Sequence, residues 1–366
     1  MYTPILSFFT GGGFLDIGFE QEGFRVVWTN EFNEQFANIY SAGMTSWKRQ
    51  LGAHETVQIT NTKDIVALPR KEILKESFGS IVPNFWGMVG GPPCPDFSRG
   101  GNHAGGNGKN GYLTGVYINR ICELNPDFFL LENVSGLFRY HKHRTYLFEQ
   151  MACLYQKKYV LDYTILDALD FGVPQTRERF FLIGFKHGVA KKILGQNIEF
   201  GETGWFPWPK QKYKNAKHAF LWPSQTRFRG SPKRPPDIPL ELTVWHAFNI
   251  PQKSTTVSNG DEHFQPYSSK FKEIMEGDVS GYSFKRLHRY RFSPTVWYGN
   301  REVHLHPWEP RRISVREAMR IQTVPEEYVI PKEICLSAKF KMIGNGVPCV
   351  LARELARAIR LFTNRR

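Results

Sequence analysis

"FFTGGGFLDIGF", residues 8–19, places three successive glycines between an apolar, strand-like run and a helix-like one. Glycine carries no Cβ, so such a turn lets the backbone approach a ligand closely. Two phosphate-binding patterns are excluded. No Gly-Lys-Ser/Thr follows, and Asp16 stands where the third glycine of G-x-G-x-x-G belongs. Working outward, residues 3–9, 24–30, 85–90 and 127–131 are short apolar, β-branched or aromatic runs, and 32–40 and 113–124 show helical periodicity. This alternation predicts an α/β fold, a doubly wound and mostly parallel sheet with helices on both faces. Ligands of such sheets collect at the carboxyl ends of the strands, and the glycines, Cys94 and Glu132 all follow strand-like runs.

The 366 residues suffice for one large domain and a second, smaller unit, and 41% hydrophobic content makes the chain globular. MYTPILSFFT has no basic leader and is apolar only briefly. No apolar run nears the roughly 18 residues that span a bilayer, so a cytoplasmic protein without a membrane partner is expected. Five scattered cysteines without a C-x-x-C pair argue against a disulfide framework and against a metal site. Cys122, Cys153, Cys335 and Cys349 lie in apolar periodic stretches and read as buried structural thiols; Cys94 does not. The net charge of +14 is unevenly spread: 18 basic against 18 acidic residues over 1–186, 19 against 11 over 187–311, and 11 against 5 over 312–366. A polyanion engaged by the second part follows. Near residue 187 the sequence turns to Trp, Pro and Lys/Arg without clear period, as an inserted domain would, and regular signals return at 313–322 and 347–362.

Four constellations carry chemistry. After the glycines, the run FRVVWTN leads to Glu31, and a third strand-like run, VQITNTKDI, to Asp64. Carboxylates at strand ends repel phosphates and suit ribose hydroxyls and an exocyclic amine. The pocket is therefore that of a nucleoside without phosphates; S-adenosylmethionine fits and NAD fits less well. In VGGPPCPDFS (89–98), prolines lock the backbone around Cys94, a candidate nucleophile. In DFFLLENVSGL (127–137), an apolar strand delivers Glu132 into the same crevice, where desolvation would raise its pKa. In PQTRERFFLIGF (174–185), Gln175, Arg177 and Arg179 alternate along a strand and should face one way, toward an anionic or carbonyl-bearing group.

Taken in order with RRISVREAMRIQTVP (311–325) and MIGNGVP (342–348), these motifs resemble the DNA cytosine-5 methyltransferases over residues 1–186 and about 293–366. The resemblance implies a Rossmann-like, S-adenosylmethionine-dependent methyltransferase. Residues 1–186, completed by 338–366, would form the catalytic and cofactor-binding domain, and 187–337 the target-recognition domain and hinge. It also implies roles: Cys94 adds to carbon 6 of cytosine, Glu132 holds or protonates ring nitrogen 3, and Arg177 and Arg179 support that carboxylate and the base carbonyl. Phe9, Gly11, Gly13, Glu31, Asp64, Asn345 and Val347 would line the S-adenosylmethionine site. The family usually has a second glycine where Phe14 stands, so the loop path around the methionine moiety is expected to differ. Stacked cytosine hides carbon 6, so the base must be flipped out of duplex DNA. The segments 224–235 and 282–292 are candidates for DNA contact. A monomer without metal, nucleoid-associated and belonging to a bacterial restriction–modification system, is the expectation. Methylation of RNA such as tRNA, a non-catalytic DNA-binding module, and a nicotinamide-dependent oxidoreductase are the competing readings.

Overall fold

The computed structural model describes residues 2–93, 112–250, 257–265, 268–281, 283–295, 298 and 303–365. Six strands, β1 (Thr3–Phe8), β2 (Phe24–Asn30), β3 (Gly87–Gly90), β4 (Phe128–Val134), β5 (Tyr159–Asp167) and β6 (Glu178–Lys186), form one sheet in the order β2-β1-β3-β4-β6-β5. β1 runs parallel to β2 and β3, and β3 to β4, whereas β6 lies antiparallel to both β4 and β5. Only β6 is reversed, so its first residues reach the edge where the other strands end. The α/β, mostly parallel sheet expected from the sequence is present.

Alternation of side chains sends β-residues to two apolar layers. On one face Ile5, Val89, Phe128, Leu130, Ile183 and Phe185 meet α1 (Phe14–Gln21), α7 (His187–Leu194) and α12 (Cys349–Thr363). On the other, Leu6, Met88, Phe129 and Leu131 meet α3 (Arg70–Phe78), α4 (Tyr112–Leu124) and α6 (His141–Gln156), with α5 (Gly136–Arg139) before α6. α1 and α12 approach so closely that a Cβ on Gly18 would lie 2.5 Å from Ala352 Cβ. A third cluster joins α1 and α2 (Glu34–Gln50) to α10 (Val315–Ile321) and α11 (Leu336–Asn345), and extends to Val244 in α9 (Val244–Phe248) and to Leu287.

Two expectations change. Residues 57–65 are not a strand: Asn61 makes one bridge to Asn30, and Ile65–Ala67 is a 3-10 turn. Their apolar side chains serve packing instead: Val57 and Ile59 lie against the third cluster and Ile65 is buried in the second layer. Cys335 is exposed ahead of α11, whereas Cys122 and Cys349 are buried and Cys153 is partly so, its sulfur 2.6 Å from that of Cys122. Past residue 187 the chain continues onto the same sheet. Ile193, Ile198 and Phe206 belong to the first apolar layer, so α7 through Trp208 pack on the sheet. Beyond it, the cluster of Leu169, Ala216 in α8 (Ala216–Ala219) and Leu242 is small. Among the described residues no helix is long and apolar enough to cross a membrane, and no His/Cys/Asp/Glu group could hold a metal ion.

Candidate active site

Glu132 lies in the buried run of β4, which ends one residue later at Asn133, and is 8% exposed. In the antiparallel register Glu132 faces Phe181 and Val134 faces Arg179, so Arg179 lies diagonal to Glu132 on one face. Its long side chain closes that gap, placing Nε 3.0 Å from Glu132 Oε1. Burial raises the carboxyl's pKa, while the charges of Arg179 and Arg177 draw it back. Burial also lowers both guanidiniums, that of Arg177 further. Arg177 precedes the strand and turns away: Nη2 donates to the carbonyls of Gly344 (2.9 Å) and Asn345 (3.2 Å), and its buried Nε and Nη1 have no hydrogen-bond partner among the described residues. Gln175 turns away too, donating to Gln322 Oε1 at 3.3 Å. The expected common face of the three residues therefore fails, because regular strand geometry starts only at Glu178.

The glycine-proline segment lies against this carboxylate. A Cβ on Gly91 would come 2.7 Å from Glu132 Oε2, and Asn133 Nδ2 donates to Pro92 O at 3.4 Å. Cys94 follows Pro93 in sequence and lies outside the described residues.

The second half of the site starts where β1 ends. Phe9, Gly11 and Gly13 all take positive φ (53°, 56° and 76°), and Gly13 caps α1. Gly11 N donates to Glu31 Oε2 at 2.8 Å, and Asn33 N to Oε1 at 2.8 Å. Burial raises the pKa of Glu31 against these two hydrogen bonds. The space where a Gly11 side chain would stand is open. A half-buried carboxylate beside exposed backbone at a strand end can accept vicinal hydroxyls, as a ribose presents them. Asp64 does not join Glu31 at a strand end. It is exposed and caps the 3-10 turn, accepting from Val66 N at 2.9 Å.

The carboxyl-terminal motif closes the glycine loop from behind. Phe14 fills the position above Gly346, whose Cβ would lie 2.4 Å from the Phe14 ring, and packs edge-on against Tyr328 at 5.6 Å. Val347 is buried in the first apolar layer, and Asn345 contributes its carbonyl to Arg177. Tyr328, which no motif reading singled out, donates its hydroxyl to Gly12 O at 2.7 Å and lies 3.2 Å from Ile39 O. Gln322 similarly ties α10 to Ile343 O at 2.7 Å. Their partners lie far off in sequence, so no local pattern marks them. Beneath the loop, Asp16 accepts from Ser7 Oγ at 2.7 Å, and burial pushes its carboxyl up to about 7.

The two basic candidate segments divide. In 282–292, Arg286 is fully buried against backbone carbonyls, and Arg289 pairs with Glu276 at 2.8 Å. In 224–235, Arg227, Arg229, Lys233 and Arg234 are exposed.

The sequence profile of the C-5 cytosine-specific DNA methylases matches residues 3–361. The type II methyltransferase M.NmeDI of Neisseria meningitidis serogroup C is 39% identical, over 98% of this chain and 84% of its own length. M.MthTI of Methanothermobacter thermautotrophicus is 29% identical over 98% of both chains. Among solved structures, a protein described as a DNA modification methyltransferase encoded within an E. coli prophage superposes with TM-score 0.64 at 22% identity, over 99% of both chains. The S. pombe Dnmt2 methyltransferase superposes with TM-score 0.55 at 14% identity, over 99% of this chain and 98% of its own.

Proposed function

The chain belongs to the C-5 cytosine-specific DNA methylase family and is a DNA cytosine-5 methyltransferase, and from that premise we propose that it methylates a cytosine flipped out of a specific duplex sequence through a transient bond to Cys94. The observation that carries this reading is the Glu132–Arg179 pair at the edge where the parallel strands end, with Gly91 and Pro92 packed against the carboxylate. Two residues beyond Pro92, in sequence, stands the thiol that the chemistry needs.

Carbon 5 of cytosine is a weak nucleophile, and attack by the aromatic ring would sacrifice its delocalisation. Thiolate addition from Cys94 to carbon 6, with a proton from Glu132 to ring nitrogen 3, makes carbon 5 an enamine carbon. A carboxyl raised by burial holds that proton nearer neutral pH than an exposed glutamic acid would. Arg179 fixes its orientation, and Arg177, whose Nε and Nη1 have no hydrogen-bond partner among the described residues, adds a second positive charge that acts on the carboxylate. Once carbon 5 has taken the methyl group, loss of its proton and return of the nitrogen-3 proton to Glu132 restore the ring and expel the cysteine as thiolate.

S-adenosylmethionine, when bound, supplies a methyl group on a positively charged sulfur. The residues present fit it: Glu31 would accept the ribose hydroxyls, the open space over Gly11 would admit the ligand to the backbone, and Phe9, Gly13, Asn345 and Val347 would line the rest. Asp64, exposed and turned to its own backbone, would reach only the outer end of the nucleoside. A role in a restriction–modification system is supported by the type II methyltransferases to which the chain is similar.

The test is transfer of labelled methyl from S-adenosylmethionine to duplex DNA, with tRNA offered in competition. Wild-type protein is expected to label DNA and Cys94→Ala to label nothing. A covalent adduct should accumulate on duplexes carrying 5-fluorocytosine. Equal activity of wild type and Cys94→Ala overturns the mechanism, and preferential labelling of tRNA overturns the substrate.

A further inference from the structure

The inward and outward arginines of the insert have different anchors, and one turn collects the outward ones on a rigid base. Thr226 and Glu276 exchange both backbone hydrogen bonds, at 2.9 and 2.8 Å. From there Arg227–Gly230 makes a turn closed by Gly230 N to Arg227 O at 2.8 Å, with Arg229 in the left-handed region at φ 62°. The Phe228 ring stacks on the guanidinium of Arg286 at 3.8 Å, and that guanidinium is held by the carbonyls of Phe271, Ile274 and His306. Gly230 O accepts from Arg289 Nη2 at 3.1 Å, while Arg289 grips both oxygens of the fully buried Glu276. The turn is thus fixed at both ends and at its centre.

Of its two arginine side chains, that of Arg229 rests with its guanidinium 5.5 Å from the centre of the Phe228 ring. Arg227 and Arg229 are exposed, and among the described residues neither pairs with a carboxylate. With Lys272, Glu273 and Met275 they line an open cavity of about 680 Å³. The same backbone that anchors the turn continues to the catalytic edge. Arg289 O and Arg291 O accept from Trp245 N and Val244 N, and Ser293 exchanges hydrogen bonds with Pro174 and Thr176 just ahead of Arg177 and Arg179.

Resting on the reading of duplex DNA as substrate, we propose that Arg227 and Arg229 determine sequence specificity by donating to guanine edges in the major groove. Phosphate contact needs only charge and is served by mobile side chains. A bidentate fork onto guanine O6 and N7 needs an arginine aimed from a fixed backbone, and this turn is the rigid mount for two of them. The left-handed residue, unusual for arginine, points its side chain out of a turn that the stacked Phe228 holds still.

The experiment first maps the methylated sequence by bisulfite sequencing of DNA from a host expressing the protein. Methyl transfer by wild type, Arg227→Ala and Arg229→Ala is then measured on a duplex carrying that sequence and on duplexes with each base pair changed. At one G·C pair each variant should lose on the order of 10-fold or more of its discrimination. Affinity for S-adenosylmethionine, read by calorimetry, should be unchanged, as expected of a folded variant altered only at the DNA face. Discrimination retained at every position overturns the assignment, whether affinity is unaltered or falls uniformly with a salt dependence shallower by about one charge, the mark of a phosphate contact. If wild type methylates no DNA, the reading of the substrate falls and takes this assignment with it; methylation of a defined sequence with indifferent variants overturns this assignment alone.

Discussion

Arg179→Ala should cost stability at neutral and alkaline pH and much less in acid, because the buried carboxylate it leaves behind can be protonated. Arg179 Nε and Glu132 Oε1 are 3.0 Å apart, with side chains only 13% and 10% exposed. Removing one partner of such a pair costs roughly 3–5 kcal/mol, since the other charge stays desolvated. Arg177 leaves a second positive charge acting on Glu132, which argues for the lower end, about 3 kcal/mol. In a chain of this size that is a fall of about 4 °C in Tm. The pH window follows from the direction of the shift. Glu132 already titrates above 4.5 in the folded protein because of burial, and losing Arg179 raises it further. A raised folded pKa contributes stability that is complete below the unfolded value and disappears as pH rises through the folded one. The penalty of Arg179→Ala should therefore be smaller at pH 5 than at pH 8, the two conditions to compare. Thermal melts of wild type, R179A, E132Q and the double variant at both pH values provide the check. In the E132Q background the arginine substitution should cost little, giving a coupling of about 2 kcal/mol or more at pH 8. A loss of Tm that is the same at both pH values, or the same with and without the Glu132 carboxylate, would refute the reasoning.

Other consequences concern the glycine loop. Tyr328→Phe removes the hydroxyl held by Gly12 O and should cost about 1–2 kcal/mol, with S-adenosylmethionine bound several-fold more weakly in calorimetry. Unchanged affinity would separate the loop from the cofactor. Gly346→Ala drives a methyl into the Phe14 ring and should destabilise by about 1–3 kcal/mol. Phe14→Leu in the same chain should recover much of that, and simple additivity would show that the two do not meet. Asp16, pushed up to about 7, contributes stability that is complete below about 3.8 and lost as pH rises through about 7. Wild type should therefore melt at a falling temperature between pH 5.5 and 8.5, and Asp16→Asn should flatten that slope; parallel slopes in the two proteins would exonerate the residue.

What could be read from one dimension was what one dimension encodes. An apolar run ended by Glu132, or by glycines after Phe9, marks a strand and its functional end whatever the sheet order. The reversal of β6 is not local information, and it alone brings Arg179 to Glu132. The run 57–65 has the composition of a strand, yet an edge position beside β2 offers only one side to pair with, and Asn30 takes Asn61 and Lys63 carbonyls through its side chain instead. Tyr328 closes on Gly12 from 316 residues away, so no periodicity announces it.

Charge was the least faithful signal, and the reason bears on function. An insert with little regular structure leaves many backbone carbonyls without ladder partners, and buried ones must still be satisfied. Arginine, with five donors on one plane, does this for several at once. Arg286 holds carbonyls from the segments around 271–274 and 306, Arg312 those of Ser283 and Val303, and Arg316 those of Ser258 and Tyr328. Arg311 and Arg320 are bound to Glu317 and Glu326, and Arg357 and Arg360 to Glu22. Part of the basic excess of the second half, the guanidiniums of Arg286, Arg312 and Arg316, is therefore internal scaffolding rather than a phosphate-binding surface. The salt dependence of DNA binding should accordingly be set by the exposed remainder and be shallower than a net charge of +14 would suggest. A titration of binding against salt whose slope matched the whole basic excess would show that the buried guanidiniums are released on DNA, and that the scaffold inferred from the free protein does not survive the complex.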